Sequence, residues 1–167
     1  MSIYVTSPRP YYGAFQDSTT QTIASTTTAY PVKFNTTDYA NKVSVVSDGT
    51  NPTRVTVENR GVYDVQFSLQ LANASTSSEQ DVDIWLRIDG VDVAGSNGQI
   101  SIVPSHGGTS GKLLPSWNYV LELMAGQYFQ LMWRASSTDV SMPQIGAQIN
   151  PVRPTTPSAI VTVTQVN

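Results

Sequence analysis

The run that most constrains the fold lies between Gly61 and Leu71, where Tyr63, Val65, Phe67, Leu69 and Leu71 alternate with mainly polar residues. Successive side chains of an extended strand point to opposite faces, so this run predicts a strand with one buried face and fits no helical stripe. Val82–Ile88 repeats the period and meets Asp89-Gly90, a pair that accepts the positive φ angles of a tight hairpin, before Val91–Val93 returns. Asn118–Leu123 and Tyr128–Trp133, split by Ala125-Gly126-Gln127, predict a second hairpin. A last strand is expected over Ala159–Val166, tied into a sheet. Thr22–Ser25, Tyr30–Phe34, Val43–Ser47 and Arg54–Glu58 bring the total to about eight to ten short strands, enough for two packed sheets. The expected fold is therefore all-β, a two-sheet jelly-roll sandwich.

Composition narrows the function. A chain of 167 residues is one domain's worth, and its 9 Lys+Arg against 12 Asp+Glu leave no basic field for a phosphate backbone, so no nucleic-acid partner is expected. There is no Cys and one His, which removes disulfides, thiol nucleophiles and multi-imidazole zinc sites. No apolar stretch approaches the roughly 20 residues that span a bilayer, and the first residues lack a cationic region followed by a hydrophobic block, so neither a membrane partner nor export is expected. Residues 1–12 read as an N-terminal arm and residues 13–167 as the jelly-roll domain.

The Tyr128 strand breaks the pattern of a sheet with one solvated face. With Phe129, Leu131 and Trp133 pointing inward, the other face carries Tyr128, Gln130, Met132 and Arg134, half of them apolar or aromatic. The 160–166 strand is similarly two-sided. Both point to an oligomer interface; the alternative is cover by a loop or the arm within one chain.

The blocks Gly61–Ser68, Val82–Val93, Trp117–Leu121 and Leu123–Trp133 together resemble the complement globular-head and tumour-necrosis-factor jelly-roll superfamily, from about Gly13 onward. With Arg153-Pro154 and the ending Ile160–Asn167, they are similar to the version of that domain found in structural proteins of tailed bacteriophages, many infecting cyanobacteria. The resemblance implies a compact homotrimer about a threefold axis with inner sheets packed together. Gln66, Ser68, Tyr128, Gln130, Met132 and Arg134 would then line or flank the axis, and Tyr63, Phe67, Trp85, Phe129 and Trp133 would lie in or near the core. It also implies a virion location, as a capsid decoration or cement protein on the outer shell whose partner is the major capsid protein. The alternative is a receptor- or glycan-binding fibre or tail component. No fibrous shaft, collagen-like repeat or heptad run is present, which favours the decorating role.

Other signals have plainer explanations. His106 sits in a glycine-rich loop, and Asp81, Asp83, Asp89 and Asp92 fall in a strand and a turn that use Asp for their own reasons, so no metal or cofactor is expected. Gly-x-Ser-x-Gly is absent, so no catalytic residue is proposed and the chain is not expected to be an enzyme. Trp117, Tyr119, Tyr11 and Tyr12 offer an aromatic platform for a sugar, or edge packing of the sandwich. In the arm, Tyr4, Arg9, Tyr11 and Tyr12 are the expected capsid-docking residues, stiffened by Pro8 and Pro10.

Overall fold

The computed structural model describes residues 10–166. The first half of the chain forms β1 (Tyr12–Asp17), β2 (Gln21–Thr22), β3 (Tyr30–Pro31), β4 (Thr36–Asn41), β5 (Val43–Ser47), β6 (Pro52–Val57), β7 (Gly61–Leu69), β8 (Leu71–Asn73) and β9 (Gln80–Ile88). The second half adds β10 (Val91–Asp92), β11 (Gly98–Ile102), β12 (Gly111–Leu113), β13 (Ser116–Leu123), β14 (Tyr128–Ala135), β15 (Val140–Met142), β16 (Gln148–Ile149), β17 (Val152–Arg153) and β18 (Ala159–Gln165). Ten of these strands have five or more residues and carry the sandwich; the rest are short pieces along its rims.

A five-stranded sheet has the order β13-β7-β18-β1-β4, and a second sheet follows β10-β9-β14-β6-β5, with β11 also on β9 and β3 on β14. A four-stranded sheet, β12-β8-β15-β2, and a two-stranded one, β16-β17, complete the all-β jelly-roll sandwich. Every named ladder is antiparallel.

The period-two pattern explains the core. Tyr63, Val65, Phe67 and Leu69 of β7 and Val161 and Val163 of β18 share one buried cluster with Val82, Ile84 and Leu86 of β9 and Phe129, Leu131 and Trp133 of β14. Each such side chain contributes about 1.5–3 kcal/mol by leaving water. Tyr63 is fully buried yet keeps its hydroxyl satisfied by donating to the Asn59 carbonyl at 2.7 Å.

Two sequence expectations change here. The turn at Gly126 forms, with φ +82° and Gln127 N donating to the Met124 carbonyl, but it does not close a hairpin. β13 pairs with β7 and β14 with β9, so this turn carries the chain from one sheet to the other. Local turn chemistry is the same in both cases, whereas the pairing is decided by long-range packing. Trp85, expected near the core, lies outside it: Val82, Ile84 and Leu86 point inward, which places Asp83, Trp85 and Arg87 on the outer face of β9. The Asp89-Gly90 hairpin forms as expected, with φ +46° and +84° and Val91 opposite Ile88.

Candidate functional site

Gln66 and Ser68 lie on β7, in the five-stranded sheet, while Tyr128, Gln130, Met132 and Arg134 lie on β14, in the other. Both groups alternate with core residues, so they occupy the outward faces of two different sheets and do not form one surface.

The middle of this β14 face, at Gln130 and Met132, is closed within the chain, and Tyr128 and Arg134 at its ends are half-buried. The Arg54 guanidinium sits 4.7 Å from the centroid of the Tyr128 ring, and Gln130 Nε2 donates to Thr53 Oγ1 at 2.8 Å. Met132 is 1% exposed, with Trp85 and Pro31 as its cross-strand neighbours. Arg134 Nη2 lies 2.8 Å from Asp83 Oδ2. Each of the four residues has a partner in its own protomer, so the uncovered apolar strip suggested by the sequence is covered by β3, β6 and β9.

The outer face of the five-stranded sheet is different. Its rows run Ser116–Ser68–Ile160, Asn118–Gln66–Thr162 and Val120–Asp64–Thr164 across β13, β7 and β18. Hydroxyls and amides alternate there with Ile160, 40% exposed, and Val120, 63% exposed, and these rows contain no cation. Asp64 accepts from Gln66 Nε2 at 2.8 Å and from Asn118 Nδ2 at 3.0 Å. A shallow depression of about 160 Å³ lies between Gln66, Ser68, Ser116, Ile160 and Thr162.

Of the expected docking arm, Tyr4 and Arg9 lie outside the described residues. Tyr11 and Tyr12 belong to the sandwich: Tyr11 packs on the core, its carbonyl accepts from Gln165 N at 2.8 Å, and Tyr12 opens β1.

Trp117 and Tyr119 form packing rather than a platform. Trp117 meets the Phe67 ring edge-on at 4.6 Å, Tyr119 stacks on Phe67 at 6.1 Å, and the Tyr119 hydroxyl donates to the Ser96 carbonyl at 2.7 Å. Burial pushes the Tyr119 phenol above its ordinary value. His106 N and Thr109 N close a tight loop by bonding each other's carbonyls. The four aspartates point to separate partners: Asp81 to Ser101, Asp83 to Asn97 and Gln99, Asp89 to Gln127, and Asp92 to Trp85 and Arg87. The Arg87 guanidinium, then the Trp85 N–H, holds the Asp92 carboxyl below the usual range.

The sequence reading missed a cleft of about 510 Å³ on the outer face of β9, lined by Asp83, Trp85, Asp92, Val93, Asn97 and Arg134 among others. The signal was present in the alternation of Val82, Ile84 and Leu86, which puts Trp85 on the same face as Asp83. No family model matches the chain, and comparison with curated proteins finds no match.

Proposed function

We propose that this chain is a non-catalytic phage virion protein, a homotrimeric decoration or cement protein that binds the major capsid protein and reinforces the outer shell. The observation that carries the assembly is the outer face of the five-stranded sheet, where Val120 and Ile160 stand exposed in a field of Ser, Thr, Asn and Gln whose one charge, Asp64, accepts from Gln66 and Asn118. The hydroxyls and amides of such a surface can pair across an interface around the exposed Val120 and Ile160, and its Ser and Thr side chains lose little rotamer entropy on packing. The resemblance supplies the symmetry: a tumour-necrosis-factor-like trimer packs its inner sheets about the threefold axis. Gln66 and Ser68 lie on this face, whereas the four β14 residues lie on the other sheet, with partners of their own.

Light scattering of the purified chain should give about three times its 18.1 kDa mass. A monomer at micromolar concentration overturns the trimer. Cryo-electron microscopy of the particle should place the trimer on the shell; density on the tail instead overturns the decorating role in favour of a fibre component.

A further inference from the structure

The cleft on β9 has the chemistry of a ligand site, and we propose that it binds a neutral pyranose, such as the end of a surface glycan. The cleft measures about 510 Å³ and is wide open to solvent, so it would hold a sugar ring flat against Trp85 rather than enclose it. Trp85 supplies an apolar wall suited to the hydrogen-bearing face of a sugar ring. Its indole is held before any ligand arrives, because Nε1 donates to Asp92 Oδ1 at 2.8 Å, and Asp92 is itself fixed by Arg87 Nε at 2.7 Å. Val93, Ala94 and Gly95 complete the apolar lining.

The polar groups point to hydroxyls as the other half of the ligand. Asp83 is 6% exposed and lines the cleft. Its Oδ1 accepts from Asn97 Nδ2 at 3.0 Å and Gln99 Nε2 at 3.3 Å. Its Oδ2 is buried against Arg134 Nη2 at 2.8 Å, so Asp83 fixes the Arg134 and Asn97 side chains at the cleft wall. Asp92 takes both of its bonds, from Trp85 and Arg87, on Oδ1, so Oδ2 of this 54% exposed side chain is left to accept from a sugar hydroxyl. Arg134 and the exposed Asn97 offer donors to a neighbouring hydroxyl. Charge makes the ligand neutral: Asp83 is paired with Arg134 and Asp92 with Arg87, which leaves no surplus charge for an ionic ligand. The cleft opens on the sheet opposite the proposed trimer face, so three copies would stand free on the assembly.

The test titrates the full-length protein with methyl α- and β-pyranosides of glucose, galactose, mannose and N-acetylglucosamine, with methyl glucuronide as the charged comparison. Saturation-transfer NMR and tryptophan fluorescence report binding. Saturable binding of at least one neutral pyranoside is expected. It should fall by about two- to tenfold in Trp85→Ala, the scale of one lost aromatic contact. Ala94→Trp, at an exposed position, fills the cleft without disturbing the core and should abolish binding at an unchanged melting temperature. No response to any neutral pyranoside overturns the proposal, as does binding that survives Ala94→Trp or a preference for the glucuronide.

Discussion

Gln130 and Thr53 seal the outer side of β14 from within one protomer: the Gln130 amide donates to Thr53 Oγ1 over 2.8 Å, and the two residues are 7% and 0% exposed. A buried amide that loses its acceptor bears the full cost of desolvation. Thr53→Val should therefore destabilise the fold by about 1–3 kcal/mol. Adding Gln130→Leu should restore part of the loss, because the unpaired amide is then gone while the bond that the Thr53 hydroxyl donates to Asp48 Oδ2 at 2.9 Å stays lost. Urea denaturation of the two singles and the double checks this; purely additive losses would show that the pair is not coupled.

The two outward faces predict opposite mutant behaviour. Met132→Arg places a charge where a side chain is 1% exposed, and an uncompensated buried ion costs about 3–5 kcal/mol, so the protomer itself should lose stability. Val120→Arg lies on the exposed face of β13 and should leave the protomer's fold within about 0.5 kcal/mol while dissociating the trimer. Sedimentation velocity beside far-ultraviolet circular dichroism separates the outcomes. A trimeric Val120→Arg variant would remove the five-stranded face from the assembly.

Much of this architecture was legible because period two is a strong signal where one face is buried. Val43–Ser47 comes out with the bounds expected from sequence, and the β9–β10 hairpin follows from Asp89-Gly90. Partner choice was not legible. The residues around Gly126 announce a turn, but nothing local says that β13 joins β7 while β14 joins β9. The same gap explains the interface residues: Met132 looked unpartnered because Pro31, 101 positions earlier, cannot be seen beside it in sequence. β1 and β4 escaped because Ala14, Gln16 and the polar stretch Thr36–Asn41 lack aliphatic alternation, and the sheet rather than propensity holds them. Trp85 was placed in or near the core by the resemblance, whereas its neighbours Ile84 and Leu86 set its face.

Acid should weaken the fold through Asp48 and Asp92. The Asn51 backbone N–H, helped by Thr50 N–H and the Thr53 hydroxyl, holds the Asp48 carboxyl below its ordinary value, and Arg87 with Trp85 does so for Asp92. A carboxyl with a depressed folded pKa is less easily protonated in the folded than in the unfolded chain. Its contribution is therefore complete above about pH 4 and is lost as pH falls through the lower folded value. Denaturation midpoints should be flat from neutrality to about pH 5 and drop toward pH 2. The Asp48→Asn, Asp92→Asn double variant should start lower and fall less steeply; an unchanged slope would assign the acid sensitivity to other groups.

Two glycines predict contrasting costs. A Cβ on Gly111 would run into the backbone carbonyl of Val103, which cannot move without shifting β11 against β12, so Gly111→Ala should cost about 1–3 kcal/mol. A Cβ on Gly61 would meet the far end of the Gln165 side chain, which can rotate away, so Gly61→Ala should cost clearly less. Thermal melting of the two variants decides the order, and equal losses would mean that the Gln165 amide, which donates to the Arg60 carbonyl, matters more than its exposure suggests.

Capsid docking by the N-terminal arm is best tested by a cut placed according to the β1 boundary. Deleting residues 1–12 would remove Tyr11, whose carbonyl accepts from Gln165 N and whose ring packs on the core, and would take Tyr12 from the start of β1. Loss of binding after that deletion would confuse a lost contact with a loosened sheet. Deleting residues 2–9 keeps both tyrosines and removes Tyr4, Arg9 and Pro8. An aromatic and a guanidinium group are the side chains that most often anchor an interface, so this shorter deletion should leave the melting temperature and trimer mass unchanged while weakening co-sedimentation with particles stripped of the protein. Tyr4→Ala with Arg9→Ala should reproduce most of the loss in the full-length chain. Equal co-sedimentation by the truncated and intact trimers would transfer docking to the loops at the ends of the sandwich.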